Sequence, residues 1–151
     1  MSRRDVEHDF PRLVGKQYGL SPEDFSFNCL AYALGDASQW WEPPKKPGQY
    51  WPPGFPEDTT VETVEAILRV HGYTTEIMPS ETPTSDAIAV YASGNHWRHF
   101  AKFSGGSWSS KLGEGNDVSG VSLQDLEAPI YGVVVKVLCR PTIRDAELAE
   151  L

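Results

Sequence analysis

Cysteine is scarce in this chain, with two in 151 residues, and the two stand far apart. That spacing excludes a disulfide framework and points to a reducing compartment. Also missing is any apolar run long enough to cross a membrane, so no membrane partner is expected. The N-terminus, Met1 to His8, has basic residues with no apolar stretch behind them, which argues against a signal peptide and for a cytoplasmic protein. Secretion as an effector without a cleavable signal is the other route left open. Basic clusters are lacking too: 13 basic residues are scattered among 21 acidic ones for a net charge of -8. Phosphate binding needs a basic surface, so nucleic acid is not an expected partner. The few cysteines and histidines have no paired zinc-site spacing, so no metal or other cofactor is expected.

What remains is the content of one domain. Residues 1–20 are read as an N-terminal segment with weak helical hints, 21–141 as a single α+β domain, and 142–151 as a charged tail that frays. Ser21-Pro22-Glu23-Asp24 reads as a capped helical turn. Asn28 is a good N-cap for a short helix that begins at Cys29 and stops near Gly35. A capping box at Thr59-Thr60-Val61-Glu62 opens a second helix, whose Val61, Val64, Ile67 and Leu68 share a face until Gly72. Strands are predicted over 73–78, 87–92 and 97–103, followed by a turn at Gly105-Gly106 and a return through Trp108 to Lys111. A helical turn is expected near 122–126. The last strand, 131–140, alternates so that Val133, Val135, Val137 and Cys139 face the core. Short connections favour antiparallel pairing.

Residues 36–58 are dense in proline and aromatics, including Trp40, Trp41 and Trp51, and prolines exclude a regular helix or central strand there. Such rings either pack as an ordered loop against the body or wall a substrate cleft beside Cys29.

Cys29 carries the chemical interest. A thiol at the positive end of a helix dipole favours the nucleophilic thiolate, although a free cysteine also serves as a small buried hydrophobe. A cysteine hydrolase needs a histidine base and a third group to orient it. Of four histidines, His8 lies near the N-terminus and His71 ends a helix, leaving His96 and His99. His99 shares a strand face with Ala101 and Phe103 and is the candidate base. With the turn centred on Gly105 and Gly106, Ala101 faces Ser110 and His99 faces Leu112, which puts Ser110 diagonally beside His99. Ser110 is the first candidate to orient the ring, and Asp117 the second. Asn28 either caps the helix or helps hold an oxyanion.

Phe27-Asn28-Cys29-Leu30-Ala31, His99 to Phe103, and a polar residue on the returning strand together resemble the papain-like cysteine hydrolases of the NlpC and CHAP type. Narrower blocks, Asn28 to Asp36, Trp40-Trp41, Trp108 to Gly113 and Tyr131-Gly132, are similar to an uncharacterised bacterial domain family. The broad resemblance implies a cysteine helix packed on a mostly antiparallel sheet. It also implies a cysteine peptidase or amidase in which Cys29 attacks an amide, isopeptide or ester of a peptide or protein substrate and His99 is the base. Ser110 then occupies a position where those peptidases carry His, Asn or Gln, and Asn28 one where they usually carry Asp. The alternative expectation is a catalytically inactive module that binds a peptide or partner protein through the loop 40–56. Oligomeric state is not read from the sequence.

Overall fold

The computed structural model describes residues 2–112 and 115–141. Gly113, within one of the sequence blocks above, and the expected tail 142–151 lie outside the described residues. One seven-stranded sheet organises the chain, in the order β1 (Gly19–Leu20), β6 (Asp117–Val121), β5 (Ser107–Lys111), β4 (His96–Ser104), β3 (Ala87–Ser93), β7 (Val133–Cys139), β2 (Thr75–Ile77). Every neighbouring pair is antiparallel, so the α+β expectation holds. No described helix is long and apolar enough to cross a membrane.

Period-two alternation gives the central strands two apolar faces, each covered by a different layer. On one side Ile88, Val90, Phe100 and Leu138 pack against α2 (Cys29–Ala33), α3 (Val61–Val70), Trp41 and Trp51. On the other, Ala87, Ala89, Tyr91, Ala101, Val137 and Cys139 pack against Val6 and Phe10 at α1 (Arg3–Asp9), Leu13 in a 3-10 turn, and Tyr131. Residues 1–20 therefore furnish core side chains: Val6 and Leu13 are fully buried. The helical hints there come from a capping box, in which Ser2 and Asp5 exchange hydrogen bonds.

Several local expectations are corrected. Ser21 to Asp24 is not helical; the Ser21 and Asp24 N–H groups donate to the carbonyls of Asp117 and Gly115 and extend the β6 edge. The N-cap of α3 is Thr60, whose hydroxyl accepts from Thr63 N–H, while Glu62 is drawn off by Asn95. The face of β7 switches midway. Val90 pairs with Lys136 but Tyr91 with Val134, leaving Val135 as an extra residue. Val137 and Cys139 point into the core as expected, whereas Val133 and Val135 are 55% and 39% exposed and Val134 packs inward instead.

Candidate functional site

Both ladders of β3 slip at Tyr91, the residue that pairs with His99. On β4 the slip leaves Arg98 as the extra residue, which keeps Trp97 and Phe100 on the same face and sends His99 to the other. The imidazole there is stacked on the Tyr131 ring, 3.7 Å between centroids and 9° between planes, with Tyr91 at 5.7 Å. It is 1% exposed, and burial alone pushes its pKa down to about 3.

The hairpin register places Ser110 where the sequence predicts it, beside His99 on the same face. Regular β4–β5 pairing ends at Lys102 and Ser109, so the polar groups beyond that point find other partners. The Ser110 hydroxyl donates to the Phe100 carbonyl at 2.9 Å and is also hydrogen-bonded to His99 Nε2. A serine has a single proton to give. Because the Phe100 carbonyl takes it, Nε2 must carry the hydrogen that reaches Ser110 Oγ, which leaves Nδ1 as the bare, basic nitrogen. Nδ1 makes no hydrogen bond to another described residue.

Cys29 approaches from the opposite layer. Asn28 is the N-cap of α2: its Oδ1 accepts from Ala31 N–H at 3.3 Å and from Trp41 N–H at 3.0 Å, and its Nδ2 donates to the Trp41 carbonyl at 2.6 Å. The side chain therefore caps the helix and clamps the aromatic loop to it, with one of its two amide hydrogens engaged by the Trp41 carbonyl. The helix presents Cys29 as a half-buried residue. Burial pushes the thiol up to about 12, against the smaller opposing pull of the Phe100, Leu30 and Cys29 N–H groups; Glu42 adds a further upward push. The helix-start effect read from the sequence is real but is outweighed by desolvation. The Phe100 N–H that favours the thiolate belongs to the peptide bond joining His99 to Phe100. The sulfur therefore meets the His99–Phe100 peptide unit from the α2 side, whereas the imidazole is turned to the other face of the sheet with Tyr91 and Tyr131, and neither group is among those that shift the other's pKa.

The remaining candidates lie elsewhere. Asp117 faces Lys111 Nζ at 3.6 Å and is not bonded to His99. His96 is exposed and hydrogen-bonded to Thr59 through Nδ1. Trp41 and Trp51 are buried, their indole N–H groups donating to Asp36 and to the Pro56 carbonyl, so they are core rather than cleft wall. Trp40 keeps part of its surface. Sequence reasoning missed Tyr131 as the lid on His99; an aromatic beside Gly132 was the available signal. It also missed Lys111, which is 1% exposed with Nζ on the Gly115 carbonyl and 4.0 Å above the Phe27 ring. Among the described residues no group of three or more His, Cys, Asp or Glu side chains is placed to hold a metal ion.

These features define an antiparallel α+β domain with a cysteine at a helix start and a tautomerically fixed histidine on a neighbouring strand. The chain belongs to a family described as a domain of unknown function (DUF7689), whose model matches residues 18–139. No curated protein and no solved structure matches it.

Proposed function

We propose that the protein is a papain-like cysteine hydrolase or acyltransferase in which Cys29 attacks the carbonyl of an amide, isopeptide or ester and His99 is the base. The observation that supports the reading is the hydrogen-bond chain from His99 Nε2 through Ser110 to the Phe100 carbonyl, which makes Nδ1 the basic nitrogen and leaves it unbonded to any other described residue. The thiol is held up to about 12 and the imidazole down to about 3, so at neutral pH both are uncharged. Attack therefore proceeds by general-base catalysis and not from a standing thiolate–imidazolium pair. As the sulfur bonds to the carbonyl carbon its proton passes to His99, a transfer that has to cross the edge of the opened sheet between the thiol face and the imidazole face. The imidazolium then gives that proton to the departing nitrogen or oxygen, leaving a Cys29 thioester. Water, deprotonated by His99, adds to the thioester; the acid is released and the returned proton restores the thiol.

The test uses p-nitrophenyl acetate as acyl donor and reads the adduct by peptide mass spectrometry. Cys29 is acetylated and Cys139 is not, the rate is flat from about pH 5 to 9, and His99→Gln slows it about a hundredfold. Acetylation of Cys29 no faster than that of Cys139, or at a rate indifferent to His99, sinks the reading.

The alternative is an inactive module that binds a partner through the loop 40–56. It draws on an open groove of about 410 Å³ lined by Tyr50, Trp51, Pro52 and Phe55. Trp51 is nearly buried, so the aromatic surface of that groove comes from Tyr50 and Phe55, and the acyl-transfer reading is the better supported.

A further inference from the structure

Glu42 stands where the aromatic loop is clamped to the start of the cysteine helix. Two hydrogen bonds join Asn28 to the Trp41 backbone, at 3.0 and 2.6 Å. Cys29 follows Asn28 and Glu42 follows Trp41, so this clamp sets residues 29 and 42 side by side. Two further bonds hold the segment: Glu42 N–H donates to the Tyr50 carbonyl at 3.2 Å, and Tyr50 N–H to the Trp40 carbonyl at 2.8 Å. The Trp41 indole, tied to Asp36 at 2.9 Å and packed on the Tyr50 ring at 4.6 Å, fixes the same stretch from below. The carboxylate is half-buried, and among the described residues it enters no ion pair. Its negative charge is felt at the sulfur, where it opposes the thiolate. Nearby cations on the strand side are otherwise engaged, Lys102 over the Tyr32 ring at 4.2 Å and Lys111 over Phe27.

A carboxylate that penalises the nucleophile is a liability for a hydrolase unless something neutralises it when substrate arrives. We infer that Glu42 is a specificity-determining residue, selecting ligands that carry a cationic group, a lysine or arginine side chain or a free amine, beside the carbonyl offered to Cys29. This rests on the reading of Cys29 as nucleophile. A cation seated on Glu42 cancels the negative field at the sulfur, so the ligand that fits is also the one that activates the thiol.

The experiment separates the charge filter from the chemistry by using two methanethiosulfonates of similar size, one trimethylammonium and one sulfonate, with N-acetylcysteine amide as reference thiol. In the native protein the cationic reagent modifies Cys29 about tenfold faster than the anionic one, relative to the reference. Glu42→Gln brings the ratio to that of the reference and Glu42→Lys reverses it. The wild-type ratio also collapses in 1 M salt, a test of the same field that needs no substitution. A ratio unchanged in Glu42→Gln, or one indifferent to salt, overturns the inference. If that happens while acetylation still depends on His99, Glu42 loses its role and the acyl-transfer reading stands. If the ratio follows Glu42 but His99→Gln does not slow acetylation, the acyl-transfer reading falls alone. A Cys29 that neither reagent modifies overturns both.

Discussion

The two faces of the sheet hold the two halves of the site in different ways. The imidazole lies in a closed layer, stacked on Tyr131, near Tyr91 and bonded to Ser110, in a core that α1 completes. The thiol lies under a layer made largely of irregular chain, the loop 36–58, held to a five-residue helix through a single asparagine. Both sides have a packed apolar core, but on the thiol side the start of the cysteine helix is tied to the loop by a few polar contacts from Asn28. Under the proposed acyl-transfer reading substrate enters on the thiol side, where part of Cys29 and Glu42 is exposed, while His99 is held in one tautomer from behind.

The sharpest break in that comparison is a methyl group added at one glycine on each side. A Cβ on Gly132 would meet the Ala92 carbonyl oxygen at 2.0 Å, and its φ of +76° is already a conformation that L side chains avoid. Gly132→Ala should cost about 4 kcal/mol or abolish folding, since backbone must move in the turn that carries Tyr131 onto His99. Gly35, just past α2, has a similar φ of +81° but nothing within 4 Å of the added carbon. Gly35→Ala should cost only about 1 kcal/mol, from strain alone. Urea denaturation of both variants checks the contrast; equal losses would mean the two layers are equally tolerant.

The same asymmetry governs what could be read from the sequence. The thiol side was legible because its signals are local: an N-cap at Asn28, a helix stop near Gly35, and prolines that forbid regular structure after Asp36. The hairpin was legible too, since Gly105-Gly106 fixes the register that brings Ser110 to His99. The imidazole side was not. Val6, Phe10 and Leu13 do stand at helical spacing, i, i+4 and i+7, but Pro11 interrupts so short a stretch, and they become core only through contacts with strands much later in the chain. The bulge at Val135 reversed the face assigned to Val133 and Val135, because alternation assumes an unbroken ladder and no residue type announces a slip. The surroundings of the Cys29 thiol are legible only in part for a related reason. A helix start is visible in sequence, but the desolvation that outweighs it comes from distant residues.

A smaller effect is expected at Asn28, where the thiol side is weakest. Asn28→Ala removes the α2 cap and both bonds to Trp41, leaving three buried backbone groups, the Ala31 and Trp41 N–H and the Trp41 carbonyl, to find other partners. The loss should be about 2 kcal/mol by urea denaturation. It should also open the loop, so that alkylation of Cys29 by iodoacetamide speeds up while Cys139 stays protected. Asn28→Asp sharpens the point, since a carboxylate keeps the acceptor role toward Ala31 and Trp41 N–H but cannot donate to the Trp41 carbonyl. Its cost should fall between wild type and alanine.

The smallest effect is a pH dependence that belongs to the imidazole side alone. His99 stays neutral in the folded protein down to about pH 3, whereas an unfolded histidine takes up a proton near pH 6.5. As pH falls below 6.5 the unfolded chain binds a proton that the folded state refuses, so stability declines in the window from about 6.5 to 3. Between pH 7 and pH 5.5 the loss should be about 1 kcal/mol by urea denaturation, and His99→Gln should flatten it. Carboxylates such as Asp58, held low by hydrogen bonds from Thr63 and Thr60, contribute only below their unfolded values near pH 4 and leave the interval from pH 7 to pH 5.5 to the histidine. Cys29 acts at the other end: its raised thiol keeps a proton that the unfolded chain gives up near pH 9, so stability falls again as pH rises past that point. If the acid-side slope survives His99→Gln, the imidazole is not desolvated as the stack on Tyr131 requires, and the contrast between a closed layer and an open one loses its chemical basis.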